Sequence, residues 1–315
     1  MSFSFKFYIL ALVLLFNINA CVNNEINNSI LFEEVNTKKQ LNGKLYRINN
    51  FYSKYTQSRN IDIWIPKNYS KEKIYSVLYM HDGQNLFDNE KTWGGTDWGV
   101  DENASTIMLE GNIKDFIVVG IWNVAKNRFG NYFPKKIYNM LSNKDQKKLK
   151  DMAITNGYEF VLDSDDYLKF LVYELKPIID KNFKTSKNKT DTFIMGSSRG
   201  GLISLYALCE YPKIFGGAAS LSTHWLGTYN NNNNDIPKKT IDYLKMNLPK
   251  TEIHKVYLDY GNLGLDELYL PFQKNLNSFA INNRNFRNIF FENHDHSEFY
   301  WNKRLQVPLK FLLKN

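Results

Sequence analysis

Short apolar runs rich in β-branched and aromatic residues punctuate this chain at intervals, and each is bounded by polar or turn-forming residues. Runs over 62–65, 75–80, 116–121, 192–195, 217–221, 255–259 and 288–292 have the length and composition of buried strands. Helical stretches lie between or after several of them, over 167–181, 201–210, 268–283 and 303–313. Apolar strands alternating with helices predict a largely parallel sheet covered on both faces, so the expected fold class is α/β. No internal repeat interrupts the pattern, and the run Asn230 to Asn234 reads as a surface loop.

The two ends of the pattern differ. Lys6 gives a thin positive start, residues 7–16 are a short apolar run, and Ile18-Asn19-Ala20-Cys21 ends it. That run is too short to remain comfortably as a membrane span. It looks like a bacterial lipoprotein signal over 1–20, cleaved before Cys21, which would then carry the lipid; an ordinary secretory signal is the alternative, and both export the protein. Residues 21–43 are polar and Asn-rich and read as a tether, so a single body is expected over 44–315. With Cys21 lipidated, Cys209 is the only other cysteine, and no intrachain disulfide is available. A chain of 315 residues with 43% hydrophobic residues can bury a large core. Its net charge of +8 is scattered along the chain and forms no nucleic-acid-binding module.

Candidate chemistry begins at Gly196-Ser197-Ser198-Arg199-Gly200-Gly201, which follows a predicted strand and opens onto a predicted helix. That context makes it a nucleophile elbow: the serine sits on a tight strand-to-helix turn, and glycines are needed where a Cβ would clash. Ser198 is the candidate nucleophile, placed at a helix N-terminus whose partial positive charge favours a developing oxyanion. In the usual chain order an acid and then a histidine follow the serine. His81 precedes the elbow, His224 follows it too closely, and His254 comes before the last predicted strand. His294 and His296 both remain as general-base candidates by spacing. No Cys, His or carboxylate spacing resembles a zinc site, and no glycine-rich segment has the phosphate-loop pattern, so no metal or cofactor is expected.

The segments Val77-Leu78-Tyr79-Met80-His81-Asp82-Gly83-Gln84-Asn85-Leu86-Phe87-Asp88, Trp98-Gly99-Val100-Asp101-Glu102, Asn131-Tyr132-Phe133-Pro134, Glu174 to Asp180 and the elbow together resemble the putative-esterase family. That family comprises α/β-hydrolases similar to esterase D, enterochelin esterases and feruloyl esterases. The likeness runs in order from about residue 60 to the C-terminus. It implies an α/β-hydrolase fold and ester hydrolysis. The family's terminal motif is a histidine with a glutamate or aromatic residue two positions on and a tryptophan five positions on; His296, Glu298 and Trp301 match, which favours His296 as general base.

The acid is expected on the loop after 255–259. Asp266, beyond the turn, is the first candidate and Asp259, at the strand end, the second; a serine–histidine dyad is the remaining alternative. Asn262 stands where relatives commonly carry threonine. The oxyanion hole should combine the amide of Arg199 with that of Gly83 or Gln84. His81 and Asp82 are expected to shape that turn. Trp225 and His224 follow a strand end near the cleft and are candidate pocket residues; core closure is the other role open to Trp225. Residues 138–162 form an insert that is either a lid or a surface helix. The resulting expectation is an exported serine esterase anchored to a membrane through Cys21. Its first substrate class is acyl esters on polysaccharides. Siderophore esters or acyl transfer are alternatives, as is a non-catalytic surface binding protein with the same fold. The sequence gives no oligomeric state.

Overall fold

The computed structural model describes residues 30–92, 94–229, 235–249, 253–276 and 284–314, so the expected signal and Cys21 lie outside the described residues. The expected loop at Asn230 to Asn234 also lies outside them. Among the described residues the strands are β1 Glu33–Glu34, β2 Lys44–Phe51, β3 Arg59–Ile65, β4 Ser76–His81, β5 Phe116–Ile121, β6 Thr192–Ser197, β7 Gly217–Leu221, β8 Lys255–Tyr260 and β9 Phe286–Phe290. They form one sheet in the order β1-β2-β3-β5-β4-β6-β7-β8-β9. Strands β4 to β9 are parallel, and β1 to β3 add antiparallel at one edge.

Side chains alternate across a strand, and here both faces find an apolar cover. In β4, Val77 and Tyr79 enter one core while Leu78 and Met80 enter the other; in β6, Ile194 opposes Phe193 and Met195 in the same way. The helices Ser198–Glu210 and Ile236–Asn247 supply the first core through Ile203, Leu205 and Ile241. Val100–Leu109 and Gln306–Leu313 supply the second through Ala104, Ile107, Leu309 and Leu312. This double cover fixes the positions of the strand ends, from which the candidate site is built.

Several boundaries differ from the sequence pattern for identifiable reasons. The last strand begins at Phe286 and not at 288, because Phe286 is buried in register with Val256 while Phe290 is exposed. The single helix expected over 303–313 is two, Glu298–Arg304 and Gln306–Leu313. Pro308 has no N–H to give to the carbonyl of Arg304, so the ladder is interrupted there. The expected tether over 21–43 is corrected in its second half. Strand β1 pairs with β2, Phe32 packs edge-on to Phe183 at 5.4 Å, and the Asn42 amide donates to Asp101 Oδ2 at 2.8 Å. Residues 31–315 form one compact unit, so the body begins before Lys44. Partners far along the chain order this polar segment, and local periodicity cannot register them.

Candidate active site

Strand β6 lies inside the sheet between β4 and β7, and its last residue, Ser197, is extended. The chain then turns at Ser198 with φ of 53°, a left-handed conformation costing about 1–2 kcal/mol for a residue with a Cβ. The elbow can close only around glycine. A Cβ on Gly196 would lie 2.7 Å from the Gly200 carbonyl carbon, and one on Gly201 would lie 2.1 Å from Ser220 Oγ on β7. Half-buried Ser198 begins the helix Ser198–Glu210, as the sequence motif requires.

The candidate acid and base come from two neighbouring strand ends. After β8, the loop turns at Gly261 and carries Asp266 on the short 3-10 helix Gly264–Tyr269. After β9, the chain passes through Asn293, also left-handed, to His294 and His296. The loops are tied directly. The amides of Asn262 and Leu263 both donate to the His294 carbonyl at 3.1 Å, and Asn262 Oδ1 accepts from the Asn293 amide at 2.7 Å. Asn262 therefore joins the acid loop to the histidine loop. A Cβ at Gly261 would lie 2.0 Å from the His294 carbonyl oxygen, so this approach too depends on glycine.

His296 Nδ1 faces Asp266 Oδ1 at 2.7 Å. The imidazole is held edge-on by Trp301, with ring centroids 5.1 Å apart, and by Tyr269 at 5.7 Å. The other oxygen of Asp266 accepts from Ser222 Oγ at 2.6 Å and from the Gly261 amide at 2.8 Å. Burial pushes the Asp266 carboxyl up, but the hydrogen bond and charge of His296, with these two donors, outweigh it and hold the group below the usual carboxylate range. His294 is oriented elsewhere, with Nδ1 3.4 Å from Arg304 Nη1 and its ring against Tyr300 at 4.5 Å. Asp259, buried at the end of β8, pairs with Arg304 at 3.0 Å. Of the two candidate pairs, the fold brings together His296 and Asp266.

The loop after β4 sits against the elbow. Asp82 is left-handed at φ of 57° and accepts two hydrogen bonds from Arg128, at 2.9 and 2.7 Å, and one from Asn123 at 2.6 Å. Burial alone would raise Asp82; the Arg128 charge keeps it lowered. His81 Nδ1 contacts the Tyr167 hydroxyl at 2.8 Å, and burial pushes the imidazole down to about 3. Both residues shape the turn. Gly83 packs backbone to backbone on Gly120, and Gln84 Oε1 accepts from the Asn123 amide at 3.2 Å. A Cβ on Gly200 would lie 3.2 Å from His81 Cβ, so this turn and the elbow helix are in direct apposition.

Residues 53–312 match the family model described as putative esterase. The chain belongs to the putative-esterase family. Among curated relatives, it is 24% identical over 170 residues to the uncharacterized protein YbbA of Bacillus subtilis, covering 53% of this chain and 58% of that protein. It is 27% identical over 195 residues to an endo-1,4-beta-xylanase/feruloyl esterase of Xylanibacter ruminicola, covering 57% of this chain and 21% of that protein. Thus the chain spans less than two thirds of either relative.

Solved structures show the same fold. The BES protein of Bacillus cereus superposes with a TM-score of 0.61 at 19% identity, over 89% of this chain and 99% of that one. The ferulic acid esterase AmCE1/Fae1A of Anaeromyces mucronatus, solved with ferulic acid, gives 0.59 at 17%, over 88% and 92%. The enterobactin esterase Fes of Shigella flexneri gives 0.57 at 15%, over 90% and 58%. The architecture is the α/β-hydrolase fold.

Two pocket expectations need correction. Trp225 is wholly buried in the core, with Nε1 donating to Gln273 Oε1 at 2.6 Å, so it closes the domain and does not form a cleft wall. His224 is also wholly buried, hydrogen-bonded through Nδ1 to the Tyr269 hydroxyl. Burial first, then the nearby charges of Arg199 and His296, hold its imidazole well below the ordinary range. His224 nevertheless links the elements of the site: its amide donates to the Ser198 carbonyl at 3.2 Å, and Tyr269 packs on both His224 and His296. The insert over 138–162 carries the helix Asn143–Thr155, whose Leu149 and Ala153 are buried, and its Tyr158 hydroxyl reaches Tyr229 at 3.4 Å. Cys209 is half-buried, and burial raises its thiol.

Sequence reasoning missed Ser222 and Arg304. Ser222 is left-handed at the end of β7, and its Oγ meets Asp266, Trp301 Nε1 at 3.1 Å and Arg304 Nη2 at 2.6 Å. A serine just past a strand end was visible, but its partners come from two other segments, the 3-10 helix Gly264–Tyr269 and the helix Glu298–Arg304. Among the described residues no group of His, Cys, Asp and Glu is placed to hold a metal ion, and no helix is long and apolar enough to cross a membrane.

Proposed function

We propose that this esterase uses Ser198 as nucleophile, His296 as general base and acid, and Asp266 as the residue that orients the imidazole. The observation that carries the reading is the 2.7 Å contact between His296 Nδ1 and Asp266, at the same carboxyl end of the parallel strands as the left-handed serine of the elbow. With Nδ1 engaged by the carboxylate, Nε2 is left to take the Ser198 proton. Ser198 Oγ then bonds to the ester carbonyl carbon, and the amides of Arg199 and of Gly83 or Gln84 receive the oxyanion. His296 passes its proton to the alcohol oxygen as the carbon–oxygen bond breaks, leaving an acyl-enzyme that water hydrolyses with His296 again as base. Asp266 stays ionised throughout, in keeping with its lowered pKa.

The first substrate class is acyl esters on polysaccharides, supported by feruloyl esterases among the relatives. Fluorophosphonate labelling tests the mechanism. Wild type is expected to label, and Ser198→Ala to remain folded yet lose labelling and several orders of magnitude of ester hydrolysis. Retained hydrolysis in that variant would exclude Ser198 as nucleophile. A panel of acetyl, feruloyl and cyclic siderophore esters then ranks the substrate classes. For location, we propose export and lipid anchoring at Cys21; Cys21→Ala should move activity from the membrane to the soluble fraction, and membrane retention would refute this anchor.

A further inference from the structure

Four arginines are buried among the described residues, Arg59, Arg128, Arg199 and Arg304, and two of them form ion pairs. Arg128 pairs with Asp82 at 2.7 Å, and Arg304 with Asp259 at 3.0 Å. Arg199, directly after the nucleophile, is 1% exposed. Its Nη2 donates to the Gly227 carbonyl at 3.1 Å, and its guanidinium lies over the rings of Phe129 at 4.7 Å and Tyr229 at 5.5 Å. Nη1 has no hydrogen-bond partner, and no carboxylate pairs with this guanidinium among the described residues.

Aromatic faces and one carbonyl only partly replace the water that a guanidinium loses on burial, and an unpaired buried cation is costly. Arginine cannot discharge the cost by deprotonating. The cost is offset if an anion arrives, and the planar fork of donors suits a carboxylate. The position fits a substrate group. Arg199 is adjacent in the chain to Ser198, and its charge acts on His224 together with that of His296. Tyr229, whose ring the guanidinium covers, is 38% exposed, and its hydroxyl lies 3.4 Å from that of half-buried Tyr158 from the insert. Separation of that pair would open a path and leave two hydroxyl donors beside the same anion.

Resting on the esterase reading above, we propose that the Arg199 side chain is a specificity determinant that receives a carboxylate carried by the substrate close to the scissile ester. The preferred substrates are therefore acidic esters, with the carboxylate on either the acyl group or the alcohol.

Two substrate pairs distinguish these sources: p-nitrophenyl hemisuccinate against p-nitrophenyl butyrate, and O-acetylated galacturonic acid against O-acetylated galactose. Wild type is expected to favour the acidic member of at least one pair by tenfold or more in kcat/KM. Arg199→Met, checked for folding by circular dichroism, should bring that ratio near or below one, while Arg199→Lys should retain part of it. The wild-type ratios stand even if the Met variant does not fold. Hydrolysis of the neutral esters with no acidic preference in either pair overturns this proposal and leaves the esterase reading intact, as does a preference that survives in folded Arg199→Met. Hydrolysis of none of the four, together with no fluorophosphonate labelling, removes both.

Discussion

Asp259 and Asp266 are seven residues apart, both wholly buried and both close to Arg304, yet their surroundings drive them in opposite directions. Asp259 lies at the end of β8 and accepts from Arg304 at 3.0 Å, Tyr257 at 3.0 Å and the Ser222 amide at 3.3 Å. Burial pushes its carboxyl up to about 6; Arg304 recovers only part of that cost, and the neighbouring Asp266 charge adds to it. Asp266 suffers the same kind of burial but faces His296, a serine hydroxyl and a backbone amide, and its pKa is lowered. The difference teaches that depth alone does not set the charge state of a buried carboxylate. What separates the two is an imidazole able to take a positive charge, with donors that saturate the other oxygen.

The sharpest way to break this comparison is at Asp266. Asp266→Asn should preserve the fold and lower kcat by about 10³–10⁴, because an amide can hold the wrong imidazole tautomer and cannot stabilise imidazolium. Asp259→Asn should cost less than about tenfold, roughly 1.4 kcal/mol. Single-turnover acylation measures both; the reverse ranking would move the acid to the strand end, and a small loss in each would describe a serine–histidine dyad.

An intermediate effect is expected at Ser222, which donates to Asp266 and receives Trp301 and Arg304. Ser222→Ala should lower kcat by about ten- to a hundredfold through loosening of Asp266, with KM little changed. A change confined to KM would show that Ser222 acts on substrate binding instead.

The smallest effect appears in stability against pH. The raised pKa of Asp259 makes a contribution that is complete below the unfolded value near 4 and lost as pH rises through about 6. The lowered pKa of Asp266 has the opposite sign: its contribution is present above the unfolded value and lost as pH falls through the folded one. Asp259→Asn should therefore gain stability relative to wild type between pH 4 and 7, by about 2–3 kcal/mol at most. Urea unfolding at pH 4.5 and 7 measures the change; a relative loss toward neutral pH would contradict the raised value.

Much of this site was legible because its causes are local. The strands at 116–121 and 217–221 match the apolar runs residue for residue, since inner strands covered on both faces have to be continuously apolar. The elbow was legible for a steric reason contained in six residues: Ser198 is left-handed, and Gly196 and Gly201 leave no room for a Cβ. At His294 and His296 spacing alone was indifferent. The family motif favoured the second, and loop contacts orient the first toward Arg304.

The amino-acid order by itself determined the succession of strands and helices, the position of the candidate nucleophile and the region from which a base could come, because each depends on short-range sterics or hydrophobic period. Only the tertiary structure decided that β1 belongs to the body, that Trp225 closes the core, and that His296 meets Asp266. Among the described residues, it alone left Arg199 without a carboxylate while giving one to Arg128 and another to Arg304. Those outcomes depend on which strand ends and loops the sheet order brings together. Pairing and desolvation of a charge are properties of that meeting, shared among residues tens of positions apart, and no local pattern records them.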